Sequence, residues 1–319
     1  MTAASGADPV ADLLDIARAL GPGIELDVPL GPFTTYRVGG PAALLLRIES
    51  DADLARVAEV VAARPIPVLV VGKGSNLLVA DRGFAGLAVV LGNSFASVTI
   101  EGDLVRAGAA AALPVVARQS VAAGLTGFEW AVGVPGSIGG AVRMNAGGHG
   151  SDMAATLRGV RVLDLRRGED TEMEASTLEL GYRRSAIGAH QVVLCADLQL
   201  APGDRAAGEA ELAEIVRWRR AHQPGGANAG SVFTNPPGDS AGRLIDAAGL
   251  KGRRVGSASV STKHANFIQV DRDGSANDVH RLMDEIVRMV ADATGVTLHA
   301  ETRLVGFAPD DDPAGERVS

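Results

Sequence analysis

Two apolar runs flank a short glycine loop at residues 68–79, VLVVGKGSNLLV, and the identity of that loop restricts the fold more than any other stretch. A G-x-G turn after a buried strand is the first half of a dinucleotide-binding fingerprint, which needs a third glycine so that a helix can pack closely on the sheet. Leu77 stands where that glycine belongs, and NLLVAD is too β-like, and too short before Arg82-Gly83, to be the helix. GKGS also lacks the P-loop frame G-x-x-x-x-G-K-[ST]. Two readings stay open: a tight strand-to-strand turn, or a turn whose consecutive N–H groups near Ser75 and Asn76 cradle a phosphate without a helix.

A second glycine patch favours the phosphate. The chain has 40 glycines in 319 residues, well above the usual share of about 7%. They crowd into residues 133–150 as GVPGSIGG and NAGGHG. Glycine tolerates positive φ and lets a ligand come close to the backbone. Ser137 reads as a helix N-cap and Gly136–Gly140 as an approachable backbone, an anion site made of free N–H groups and a positive helix end. Two such loops suit a cofactor with a diphosphate.

The rest of the pattern reads as alternating helices and strands. The sequence predicts an N-terminal helix over Asp8–Leu20; a turn-rich lead into a strand over 28–49, a capped amphipathic helix over 50–64 and a buried strand at 67–72 then suggest a βαβ unit. Short strands follow at GLAVVLG, SVTIEGD and LVRAGAA, then a helix at Leu113–Ala123 and further strand-like runs at 157–165, 177–185 and 190–200. The polar stretch APGDRAAG (201–208) reads as a domain boundary. Beyond it come helices at Glu209–His222, SAGRLIDAAGL and 276–295, a strand at HANFIQVD, and a last strand at TLHAETRLVGF. The domain expectation is therefore a lead-in (1–27), a two-lobed region (28–90 and 91–205), a C-terminal domain (206–296), a returning strand (297–308) and an acidic tail (309–319) read as disordered.

Bulk properties exclude some classes. No apolar run approaches the roughly 20 residues needed to cross a bilayer, and the N-terminus lacks a basic start followed by an apolar stretch, so no signal peptide is read. The formal charge of −8 argues against nucleic acid as the main partner, without excluding a local basic pocket. The single cysteine, Cys195, sits among apolar strand residues and reads as core; it cannot form an internal disulfide, which fits a reducing cytoplasm. His149 and His299 have no second ligand at metal-binding spacing, so no metal is expected.

In order, TTYRVGGPA, VGKGSNLLV, GVPGSIGGAVRMNAGG, GYRRS, NAGSVFTNP, SAGRLIDAAGLKG, STKHANFI and HAETRLVGF cover residues 28–307 nearly throughout. In these motifs the chain resembles the UDP-N-acetylenolpyruvoylglucosamine reductase (MurB) family of peptidoglycan synthesis. It is similar to the compact form without an extra substrate-covering loop between residues 183 and 231. The resemblance implies an α+β chain: an FAD-binding fold of the vanillyl-alcohol-oxidase (PCMH) type with a separate C-terminal α/β substrate-binding domain. It implies non-covalent FAD, NADPH as co-substrate, a UDP-linked enolpyruvyl sugar as substrate, a cytoplasmic monomer, no nucleic acid and no membrane insertion. It carries cofactor binding to Gly72, Lys73, Gly74, Ser75, Asn76, Leu77, Gly133, Pro135, Gly136, Ser137, Gly139, Gly140 and Asn145.

The reaction implied by the resemblance sets demands of its own. NADPH reduces the FAD and leaves, and the reduced flavin then delivers hydride to the β-carbon of the enol ether. Negative charge moves onto the neighbouring carboxylate, so the site needs a cation or strong donor there and a proton donor for the α-carbon. On the family pattern Arg183 in GYRRS holds the carboxylate, with Arg184 a solvated charge; a planar fork explains arginine over lysine. Ser231 in NAGSVF matches the proton donor, although a loop serine of this kind also caps turns. Glu301 in HAETR matches the catalytic glutamate, the alternative being a salt bridge to Arg303. His222 and Thr234 stand where the family commonly has lysine, so Tyr182, Asn235, Lys263 and His222 form the substrate-side set. Other readings are another FAD-linked oxidoreductase of this fold, or a non-catalytic nucleotide-binding homologue.

Overall fold

In the computed structural model, residues 9–307 are described; the Asp8 cap and the 309–319 tail lie outside them. α1 (Pro9–Leu20) leads into β1 (Ile24–Pro29), and β2 (Pro41–Ile48) into α2 (Asp51–Ala63). Ser50 caps α2 by accepting the Asp53 N–H, an interaction of about 1 kcal/mol. β3 (Val68–Val71), the glycine loop, β4 (Leu77–Val79) and β5 (Phe84–Leu91) follow. The sheet order is β1-β2-β5-β3, with β5 parallel to both β2 and β3. The expected βαβ unit thus has a third strand between its two strands. β2 reads as the near-continuous run PAALLLRI because both its faces are covered: Leu44, Leu46 and Ile48 pack with the helices, and Leu45 with the opposite layer.

The second lobe holds β6 (Val98–Glu101), β7 (Leu104–Gly108), α3 (Leu113–Ala122), β8 (Leu125–Thr126), α4 (Ile138–Arg143), β9 (Gly147–Gly148) and β10 (Ser151–Asp152). It continues with β11 (Leu157–Asp164), β12 (Glu169–Glu174) and β13 (Gln191–Gln199). Its main sheet is antiparallel in the order β12-β11-β13-β7-β6. β12, EDTEME, escaped the sequence reading because a mostly exposed acidic edge strand has no apolar face to reveal it. The run 177–185, read as strand-like, is instead a tight turn in which Gly181 and Arg184 exchange both backbone hydrogen bonds.

The segment read as a linker is ordered structure: β14 (Ala201–Pro202) pairs with β8, and α5 (Arg205–His222) begins one turn earlier than expected, capped by Asp204. α5 buries Leu212 and Ile215 in the same core as α3, β7 and β13. By packing, the helix belongs with the region before it, and the change to a new core falls after His222 rather than at residue 206. That new core comprises α6 (Ala241–Ala247), the antiparallel sheet β15 (Arg254–Val255), β16 (Ala258–Val260) and β17 (Ile268–Val270), and α7 (Ala276–Thr294). α7 stops at Gly295, whose φ of 72° is the left-handed C-cap expected of glycine. β18 (Arg303–Val305) leaves this unit and pairs in parallel with β4, Leu77 opposite Arg303. Asp81, after β4, accepts from the Ala276 N–H and the Ser275 hydroxyl and so holds the start of α7.

Candidate active site

The glycine loop ends up at the seam where all three units meet. Gly72, Lys73, Gly74, Ser75 and Asn76 all line one cavity of about 420 Å³, within the usual range for small-molecule sites. None of their main-chain N–H groups has a hydrogen-bond partner among the described residues. Gly72 and Lys73 are exposed, whereas Gly74 is buried and Ser75 and Asn76 are half-buried. N–H groups in the latter setting are almost always paired, so five successive unpaired donors at a cavity wall, three of them shielded from solvent, form a ready anion cradle. Gly74 makes the bend possible: its φ is +59°, and a Cβ there would lie 2.0 Å from the Phe33 carbonyl oxygen.

The second glycine segment faces the first. A Cβ on Gly72 would meet Ser137 Oγ at 2.5 Å, and one on Gly136 would meet Ser75 Oγ at 3.6 Å. Its donors are largely spent, however. The N–H groups of Ile138 and Gly139 donate to the carbonyls of Ala111 and Ala109, and that of Gly136 to Val134. Ser137 is the N-cap residue of α4 by position, but its side chain makes no capping bond. The expected helix-end site therefore shrinks to the Ser137 and Gly140 N–H groups, with Gly133, Pro135 and Gly136 as close-approach backbone along the wall.

The charge of the cavity opposes that of the chain. Lys73, Arg143, Arg183, Arg219 and Arg303 line it against the single carboxylate of Glu301, although the protein carries −8 overall. Arg183 Nε and Glu301 Oε1 lie 2.7 Å apart, an ion pair without an aligned Nε–H bond. Both guanidinium NH₂ groups reach the Gly147 carbonyl at 3.5 Å. Burial raises the Glu301 carboxyl above its ordinary range, an effect that the Arg183 charge opposes and does not cancel. Arg183 has φ +57°, a left-handed conformation that a non-glycine residue holds only where the surroundings enforce it. The Gly181–Arg184 turn and the Asn145 amide, which donates to the Gly181 carbonyl at 3.0 Å, supply that constraint.

Ser231 and Glu301 come together through backbone pairing. The Glu301 N–H donates to the Val232 carbonyl at 2.7 Å, and the Asn76 side chain donates to the Glu301 carbonyl at 3.0 Å. Asn76 thus ties the cradle to the strand carrying Glu301. On the other side, buried Asn266 grips Phe233 with both amide atoms and takes the Val232 N–H on its own carbonyl. Asn266→Ala is expected to destabilise the fold by about 2–4 kcal/mol, because two buried backbone groups lose their partners. Equilibrium urea unfolding measures this, and a loss below about 1 kcal/mol would contradict it.

Residues 222–305 match the family described as UDP-N-acetylenolpyruvoylglucosamine reductase, C-terminal domain, and residues 42–173 match an FAD binding domain. A UDP-N-acetylenolpyruvoylglucosamine reductase of Paramagnetospirillum magneticum is 43% identical, over 90% of this chain and 93% of its own. That of Rubrobacter xylanophilus is 41% identical over 91% and 97%. The crystal structure of the Thermus caldophilus enzyme superposes with a TM-score of 0.77 at 36% identity, covering 88% of this chain and 98% of that one. The chain belongs to the UDP-N-acetylenolpyruvoylglucosamine reductase family. The FAD-binding region of PCMH type followed by a C-terminal domain, expected from the motifs, is the architecture found.

Not every residue carried over from the family motifs reaches the cavity. Leu77, Arg183, Ser231 and Glu301 line it with the glycine loops. Gly139 does not: its site is 3.0 Å from the Ala109 Cβ, so it lets α4 approach β7. Asn145 is not in the lining; its amide bonds Asp152, Gly181 and the Ala154 N–H, and so builds the Arg183 turn. Asn235 caps α6 through the Ala241 N–H, and Lys263 donates to the Arg220 carbonyl. His222 is anchored at 2.8 Å to the Trp218 carbonyl, and Tyr182 lies exposed beneath the Arg183 guanidinium, 5.4 Å from its carbon. Glu301 pairs with Arg183.

Arg219, Gln223, Asn228 and Arg143 line the cavity and were missed. For Arg219 a signal existed. Leu212, Ile215, Arg219 and Gln223 recur at helical spacing, so the buried face of α5 continues into the cavity with an arginine. Burial lowers the Arg219 pKa, as desolvation of a cation must.

Proposed function

We propose that this chain reduces UDP-N-acetylglucosamine enolpyruvate to UDP-N-acetylmuramate with NADPH, through non-covalently bound FAD, as a cytoplasmic monomer serving peptidoglycan precursor synthesis. The observation that carries the reading is one cavity with an unpaired N–H cradle at one wall and the Arg183–Glu301 pair beside Ser231 at another. The cradle residues Gly72–Asn76, with Ser137 and Gly140, fit the diphosphate of FAD. When bound, FAD supplies the two-electron carrier between nicotinamide and enol ether. Arg183 neutralises the substrate carboxylate as charge builds on it, and Glu301 fixes the direction of the guanidinium. Ser231 donates the proton to the α-carbon, a transfer open to a weak acid because the acceptor is strongly basic.

The test is direct. Purified protein with the UDP-linked enolpyruvyl sugar and NADPH should show loss of nicotinamide absorbance that depends on the sugar. A yellow protein that oxidises no NADPH with this substrate, or a colourless one, overturns the reading.

Glu301 adds a pH prediction. Its raised pKa means that the folded state binds more protons than the unfolded one between the ordinary glutamate value of about 4.3 and the raised value. Stability from this group therefore falls as pH rises through that window. The unfolding free energy of wild type minus that of Glu301→Gln should decline across it and then level. A difference that rises with pH would place the carboxyl pKa below its ordinary value.

A further inference from the structure

The last turns of α5 carry a ring cluster that no step above uses. Trp218 and His222 stack with planes 19° apart and centroids 4.6 Å apart, and His149 meets Trp218 edge-on at 5.1 Å. The cluster starts at the cavity: Gly133 lines the wall, and a Cβ on it would lie 3.2 Å from His149 Nε2. Arg219 and Gln223, interleaved with the two stacked residues along the helix, line the same cavity, their side chains joined by a 2.9 Å hydrogen bond. Trp218 is 43% exposed, and among the described residues only Tyr182 is another exposed large aromatic. Each of the two directly precedes a cavity-lining arginine.

A soluble helix gains by burying a tryptophan, so one left open beside a polar cavity is the feature to explain. The His222 ring is preset by its bond to the Trp218 carbonyl, so the stack costs little to organise. Nucleobases stack on such surfaces whatever their identity, because every base has a π-face. Arg219, next to Trp218 in the chain, turns to the cavity side of α5 and supplies there the cation that a nucleotide's phosphates require.

We propose that Trp218 and His222 form the docking platform for the base of a nucleotide substrate that enters and leaves the cavity, with Arg219 receiving its phosphates. The resident cofactor has its own cradle at Gly72–Asn76, and the exposure of Trp218 suits an exchanging partner. The assignment rests on the reading above, in which NADPH brings an adenine and the sugar substrate a uracil.

The experiment uses the holoenzyme and compares Trp218→Ala with Trp218→Phe, which keeps a stacking ring and controls for folding. Flavin content and the KM for NADPH and for the UDP-linked enolpyruvyl sugar are measured on each. Trp218→Ala is expected to raise one KM by about 5- to 100-fold with kcat and flavin content unchanged, and Trp218→Phe by less than about 3-fold. The KM that moves identifies the base. Titration with UDP or NADP⁺ should also quench tryptophan fluorescence in wild type and not in Trp218→Ala, the buried Trp130 giving the background. Two unchanged KM values overturn the platform, and so does loss of flavin with both KM values intact. Wild-type turnover separates this from failure of the reductase reading, which would leave the sugar unreduced by every form.

Discussion

Ser231→Ala is expected to leave reduction of the flavin by NADPH near the wild-type rate and to slow reoxidation by the enolpyruvyl substrate by roughly 10²- to 10⁴-fold, the usual scale for a lost general acid. The reasoning is geometric. The Ser231 backbone is held by neighbours: Asn228 accepts the Gly230 N–H at 3.0 Å, Asn266 takes the Val232 N–H, and Val232 takes the Glu301 N–H. The Ser231 hydroxyl itself has no protein hydrogen bond among the described residues and faces the cavity lining. Removing it takes away one oxygen and no structural bond, so the cradle and the Arg183–Glu301 pair stay in place. Stopped-flow absorbance of each half-reaction decides. Equal slowing of both halves would mean that the serine shapes the site and transfers no proton.

The same three residues show what a sequence can and cannot disclose. Arg183, Ser231 and Glu301 were legible one at a time, each inside a short motif. Their meeting was expected only through the family resemblance, with its strand at 297–308 returning to the site. The residues alone do not disclose it, because it depends on β18 crossing back to β4 and on Asn76 reaching Glu301, contacts more than two hundred residues apart in the chain. α2 and α7 were legible because a cap and a helical apolar stripe are local signals. The allegiance of α5 was not, since a polar, small-residue stretch before a helix looks like a linker whether or not it pairs with another strand. Asn145 illustrates a different limit. A polar residue beside a glycine patch suggests a ligand, and only the structure shows its amide spent on holding the turn that aims Arg183. The departure at His222 is a related case: placed in the substrate-side set by position, its ring stacks on Trp218, a contact that the sequence did not signal.

Gly74→Ala is expected to weaken FAD binding by about 100-fold or more, and to give a protein that loses its yellow colour on dilution. Two costs add at this position. A left-handed φ of +59° penalises a side chain by roughly 1–2 kcal/mol. The new Cβ would sit 2.0 Å from the Phe33 carbonyl oxygen and 2.7 Å from the Thr34 Cα, backbone on both sides, so no rotamer relieves it. Relief requires moving either the 31–35 turn, tied to Gly74 by the Thr35 N–H, or the cradle itself. None of residues 72–76 belongs to a core cluster, so the loss falls on the five unpaired donors before it falls on the fold. Gly72→Ala is the matched comparison. Its φ is ordinary and its clash, at 2.5 Å, is with Ser137 Oγ, a side chain that can rotate away, so the expected loss is under about 10-fold. Flavin fluorescence titration of the two variants separates backbone alignment from crowding. If Gly74→Ala binds FAD as tightly as Gly72→Ala, the unpaired donors of this loop are not what holds the diphosphate.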